Sequence, residues 1–146
     1  MLKRTRAFSP AGISSFFEIC DRTSDGAPIT DPEKIGARGG GFVISKGVLT
    51  EVSLAEAKEK QIRVFINGKL WPEAETTKTV VKTLLEKVSE TYRVTVRHRV
   101  EVPIGAGFGS SAAGALGTAL ALSKALDLNL TYNQLGRIAH VAEVKC

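Results

Sequence analysis

Only two cysteines occur in the 146 residues of this chain, Cys20 and Cys146. They lie far apart, one at the last position, so neither a disulfide framework nor a cysteine metal site is readable, and a reducing cytoplasm is the default expectation. No apolar run approaches the ~20 residues of a membrane span, and 24% of the residues are charged, so a soluble chain is predicted. The basic start at Lys3, Arg4 and Arg6 leads into Ser9, Pro10 and Gly12 rather than an apolar core, which is not the pattern of a secretory signal. Internal repeats and low-complexity tracts are missing too. Acidic residues are the minority charge: 15 against 20 basic ones leave a net +5, a field that favours anionic partners such as nucleotides, acidic metabolites or nucleic acid. What the chain does have is 43% hydrophobic residues, enough for one real core, which excludes a disordered chain.

Periodicity predicts extended segments at residues 5–8 and 13–19, then a polar loop over 20–38 punctuated by Asp25-Gly26, Pro28, Asp31-Pro32 and Gly36. Strands are expected at 42–45 and 48–54, joined around Gly47, and at 61–66 and 69–71. The last two flank Asn67-Gly68, the pair preferred in a type I′ hairpin turn because both central residues need positive φ. Val80, Val81, Leu84, Leu85 and Val88 recur at helical spacing within 75–90. From Tyr92 to Val102 apolar and polar residues alternate strictly, as in a strand buried on one face. A small-residue helix from Ser110 to about Leu126 follows, and Thr131 with Gln134 has capping-box spacing at the start of a final helix. That helix reaches Cys146 without a stop signal, so the chain reads as cut rather than finished. The expected fold is α+β, a mixed but mostly antiparallel sheet packed on helices.

The densest chemical signal is the segment from Pro103 to Ala113, PIGAGFGSSAA, between a strand and a helix. Its glycines let a ligand approach the backbone, and the free N–H groups at the helix start form an anion site. Ser110 and Ser111 add hydroxyl donors, or an oxygen ligand for a hard cation such as Mg²⁺. Other glycine-rich motifs fail on spacing. A Walker A loop needs a lysine, and none occurs between Lys87 and Lys124; a GxGxxG fingerprint needs glycine at Ser110; a GxSxG elbow needs it at Ala113. Small residues from Gly114 onward are explained by close helix packing, but three alternating glycines before a double serine are not.

This segment closely resembles the PxxxGLGSSAA signature of the GHMP small-molecule kinases, with Phe108 in place of leucine. The resemblance implies that Pro103, Gly105, Ala106, Gly107, Gly109, Ser110, Ser111 and Ala112 wrap ATP, and that Ser111 and Glu143 hold Mg²⁺ and act in catalysis. The start, SPAGISSFFEI at 9–19, and GARGGG at 36–41 look like the archaeal pantoate kinases of that family, Ala37 standing where serine is expected. By resemblance the reaction is phosphorylation of the terminal hydroxyl of pantoate on the route to coenzyme A. Residues 1–146 would then be the N-terminal ATP-binding domain, with the general-base aspartate and a ferredoxin-like domain expected beyond Cys146 and the fragment alone inactive.

Single residues are read beside that resemblance. Glu143 is flanked by Ala139 and Ala142, unlike a solvated charge, and His140 lies three residues before it on the same helix face, within reach of an acceptor. Arg38, beside three glycines, suits a carboxylate clamp because guanidinium matches two oxygens at once. His98 falls in the apolar phase of its strand and is expected in the core; Arg93, Arg97 and Arg99 are expected on the solvated side. Expected partners are ATP and a small hydroxy acid, with a homodimer admitted and no membrane. Alternatives are a GHMP kinase for homoserine, mevalonate or shikimate, or an RNA-binding domain of the same fold, for which the GSSAA loop has no use.

Overall fold

The computed structural model describes residues 1–146 as a five-stranded sheet with three helices on one face. The strands are β1 (Leu2–Cys20), β2 (Gly36–Glu56), β3 (Gln61–Ile66), β4 (Lys69–Leu70) and β5 (Tyr92–Val100), and the helices are α1 (Glu75–Leu85), α2 (Ser110–Ala125) and α3 (Tyr132–Lys145). The order across the sheet is β1-β2-β5-β3-β4, and β3 with β5 is the parallel pair in an otherwise antiparallel set. The expected α+β class and mixed sheet are both present.

The alternation of β5 buries Val94, Val96 and His98 against the helices and leaves Arg93, Arg97 and Arg99 in water. Facing them, α1 contributes Val80, Val81, Leu84 and Leu85, while α2 and α3 contribute Ala115, Ala119, Leu122, Leu135, Ala139 and Ala142. Fully burying one Val or Leu stabilises by roughly 1.5–3 kcal/mol. The small residues of α2 let it lie close on the sheet: a Cβ on Gly117 would come within 2.5 Å of Thr50 Oγ1.

Asn67 and Gly68 take φ of 48° and 83°, as the hairpin reading requires. The Thr131 hydroxyl accepts from Gln134 N–H while Gln134 Oε1 accepts from Thr131 N–H, completing the capping box. Several boundaries differ from the sequence reading, among them the end of β5 at Val100 rather than Val102. Segments 5–8 and 13–19 are one strand, as are 42–45 and 48–54; 36–38 is the start of β2 rather than loop; α1 stops at Leu85, not 90; and the hairpin's second strand ends at Leu70. Pro10 does not break β1 because β1 is an edge strand, where the missing N–H has a free side. The glycines of 39–41 are strand residues because the two backbones come too close for side chains: a Cβ on Gly39 or Gly41 would run into the carbonyl oxygens of Phe16 and Ile13.

Beyond Gly12 and Val43, β1 and β2 continue as a two-stranded ribbon without β5 beside it. It is tied down twice. Gly12 N–H donates to the Phe108 carbonyl at 3.1 Å; at the far end Gly36 sits beside the ring of His140, and Glu33 in the connecting loop pairs with Arg137 of α3 at 3.6 Å. No helix is long and apolar enough to cross a membrane.

Candidate active site

After Val100 the chain runs through Pro103–Gly109 into α2. Gly105, Gly107 and Gly109 all have positive φ, +75°, +82° and +66°, a region side-chain-bearing residues rarely occupy. This is the physical reason for three alternating glycines. Gly109 occupies the N-cap of α2, no side chain caps the helix, and no acid stands in its first turn. The N–H groups of Ser110, Ser111 and Ala112 therefore have no partner in the chain. Pro103, Gly105, Ala106, Gly107, Gly109, Ser111 and Ala112 are exposed and Ser110 half-buried, so the donors and the positive end of the helix dipole point at accessible space. The contrast with α3, whose own cap satisfies its first turn, shows that the chain can close a helix start and leaves this one open.

Ser111 Oγ donates to Glu143 Oε1 at 2.5 Å. Thirty-two positions of sequence separate the two; packing of α3 along α2 brings them together. A hydroxyl and a carboxylate in contact beside a run of free N–H donors could hold a hard cation. No group of three or more His, Cys, Asp or Glu side chains converges anywhere, so such an ion would complete its shell with ligand oxygens and water, as Mg²⁺ commonly does.

His140 is half-buried one turn before Glu143 and lines a shallow groove with Ala112, Leu116, Gly136 and Glu143. Arg38 is exposed on the ribbon, opposite Glu18 in register, and lines a different groove with Phe16, Phe17 and Gly40. The structure thus places His140 in one groove with Glu143, and brings Arg38 toward it only through Gly36. A Cβ on Gly36 would lie 3.6 Å from His140 Cε1, and strand alternation places Arg38 on that same face of the ribbon.

One part of the site has no signal in the sequence. A cavity of about 220 Å³ opens beside Ser110 and Ser111, walled by Ile66, Trp71, Val100 and Ile104 and floored by Thr77 and His98. Its residues come from segments far apart in the sequence, β2, the end of β3, the start of α1, β5 with the loop after it, and the start of α2. His98 is a core residue as expected, 5% exposed. Its ring nitrogens reach the Thr50 hydroxyl at 2.9 Å and the Thr77 hydroxyl at 3.0 Å. A neutral imidazole supplies one donor and one acceptor, which two hydroxyls can match. Burial pushes its pKa down from 6.5 to about 4. Arg93, Arg97 and Arg99 face away from the site; Arg97 stacks over Phe65 at 5.3 Å.

Comparison with known proteins agrees with this geometry. Residues 75–146 match the GHMP kinases N terminal domain. The chain is 39% identical to a pantoate kinase of Thermococcus kodakarensis over 96% of its own length and 44% of the relative's. It is 31% identical to a pantoate kinase of Methanospirillum hungatei over 99% and 47%. A solved structure described as a phosphotransferase related to the CoA biosynthesis pathway superposes with a TM-score of 0.85 at 38% identity, covering 98% of this chain and 46% of that one. The chain spans about half the length of these relatives. The PIGAGFGSSAA loop at an uncapped helix start and the Ser111–Glu143 contact both fall inside the stretch, residues 75–146, that matches the GHMP kinases N terminal domain.

Proposed function

We propose that the chain is the nucleotide-binding half of an ATP-dependent kinase that phosphorylates the terminal hydroxyl of pantoate. The observation that carries this reading is the Ser111–Glu143 contact at the open N-terminus of α2, supported by relatives named pantoate kinase. The N–H groups of Ser110, Ser111 and Ala112 donate to the nucleotide phosphate oxygens, and the glycine loop follows their contour. The apolar walls at Ile66, Trp71 and Ile104 suit the flat base of the nucleotide. Ser111 Oγ and Glu143 supply two oxygen ligands for Mg²⁺, which when bound neutralises phosphate charge. Arg38 and His140 orient the acceptor by its carboxylate. In the transfer the acceptor hydroxyl oxygen forms a bond to the γ-phosphorus as the bond to the β-phosphate oxygen breaks, so ADP departs and the hydroxyl proton is released to water. Most of the catalysis is positioning and charge stabilisation by preset donors.

The test is an assay of the full-length protein that contains this chain, with Mg²⁺-ATP, against pantoate, homoserine, mevalonate and shikimate. Preference for pantoate is expected. Preference for another acceptor overturns the substrate, and failure to bind ATP overturns the nucleotide site.

A further inference from the structure

The ribbon formed by residues 12–20 and 36–43 carries large apolar side chains that the core does not use. Phe16 is 71% exposed, Phe42 69% and Ile13 44%. Cross-strand pairing sorts them. Cys20, Glu18, Phe16 and Ile13 lie opposite Gly36, Arg38, Gly40 and Phe42, so these eight share one face, while Phe17, Ile19, Ala37 and Val43 fall on the other. The close approach of the Phe16 ring to Gly40, 3.2 Å from where a Cβ would stand, agrees with that sorting. The first face is the one turned toward His140, because Gly36 belongs to it.

The two tethers decide what this face overlooks. One end is bonded to Phe108 of the glycine loop; the other abuts His140, one turn from Glu143. Ser111 follows Phe108 by three residues, Glu143 follows His140 by one turn, and the two are joined to each other, so each anchor stands next to one member of that pair. Within the face Arg38 makes no ion pair with any carboxylate of the chain. Arg38 faces Glu18 across the ribbon without forming an ion pair with it, and Phe16 lines its groove; a cation left free beside an exposed ring is complementary to a small acid whose carbon skeleton is branched and apolar between its carboxylate and its reacting hydroxyl.

We infer that Phe16 and Phe42, with Ile13, form the specificity wall for the acceptor and select a quaternary, dimethyl-bearing carbon, while Arg38 takes the carboxylate. The inference rests on the pantoate reading and deepens it: pantoate carries two methyl groups on the carbon between its hydroxyl-bearing positions, and 2,4-dihydroxybutanoate is the same acid without them. Homoserine lacks the methyls as well and places an ammonium group near Arg38, which repels it. Discrimination is therefore built from apolar contact for pantoate and charge repulsion against the amino acid.

The experiment compares kcat/KM for pantoate and for 2,4-dihydroxybutanoate in the full-length protein, in Phe16→Ser, in Phe42→Ser and in Ile19→Ser as the opposite-face control, since Ile19 lies outside the Arg38 groove. All three residues are exposed, so folding is not at stake. A methylene-sized contact with an apolar pocket is worth on the order of tenfold or more in discrimination. The pantoate preference is expected to fall by about that factor in Phe16→Ser and Phe42→Ser, through KM for pantoate, and to stay unchanged in Ile19→Ser. An unchanged ratio in both variants, with pantoate still the substrate, overturns the wall and leaves the pantoate reading standing. A wild-type enzyme that does not prefer pantoate to the unbranched acid overturns both. If the variants change the sedimenting mass and not the ratio, the face is an interface between copies of the chain and the inference fails.

Discussion

At the scale of single residues the proposed site divides into groups assigned to the ligand and groups that hold the frame. Ser111 is exposed and Glu143 half-buried, and their hydrogen bond joins two helices that already pack along their apolar faces. Ser111→Ala and Glu143→Ala are therefore expected to lower kcat by ~10²-fold or more with little change in the unfolding midpoint. Parallel kinetics and thermal melts check this, and a Tm loss matching the rate loss would count against it. His98 is the opposite case. Its folded pKa lies near 4 against 6.5 in the unfolded chain, so the native state resists protonation. Its contribution is complete above pH 6.5 and is withdrawn as pH falls toward 4, by on the order of 3 kcal/mol at most. In His98→Gln, where no charge can appear, denaturant titrations across that window are expected to show a flatter acid limb.

At the scale of elements, legibility followed whether a segment's structure is written in its own residues. Asn67-Gly68, the Thr131–Gln134 box, the alternation of β5 and the glycine loop are local devices, and each could be read in place. β1 and β2 could not be read as continuous strands, because Pro10, Gly12, Gly39 and Gly47 look like breaks until their partner is known. What makes them strand residues is pairing across the sheet: a Cβ on Gly47 would run into the Ser9 carbonyl oxygen. The apolar cavity beside Ser110 was hidden for the same reason, since Trp71, Thr77 and Ile104 meet only in three dimensions. Helix glycines give a test with opposite signs. Gly117→Ala in α2 places its methyl 2.5 Å from Thr50 Oγ1, a group already bonded to His98, and is expected to destabilise by about 1–3 kcal/mol. Gly136→Ala in α3 meets nothing within 4 Å and is expected to stabilise by roughly 0.4–1 kcal/mol through the unfolded chain. Chemical denaturation of the two variants side by side distinguishes packing from propensity.

At the scale of the whole molecule, the nucleotide reading makes the ligand a cross-link between distant parts of the chain. The glycine loop follows β5, Ser111 begins α2, Glu143 lies near the end of α3, and Trp71 sits between β4 and α1. A nucleotide bound there contacts only the folded arrangement, so its binding free energy adds to stability by mass action, about 2.7 kcal/mol at a hundredfold excess over Kd. Mg²⁺-ATP is therefore expected to raise Tm in a concentration-dependent way, and chelation of the metal to remove most of the increase if Ser111 and Glu143 serve as its ligands. Gly107→Val is the discriminating variant. Gly107 is exposed and nothing lies within 4 Å of where its Cβ would stand, so the cost is confined to a backbone at φ +82° and should reach about 1–2 kcal/mol. The loop relieves that strain by leaving its conformation, which misaims the N–H donors. The variant is thus expected to melt slightly below the parent without ligand and to gain no stability from Mg²⁺-ATP. An increase equal to the parent's would place the phosphates elsewhere, since a site built on this loop cannot tolerate a changed backbone at its centre.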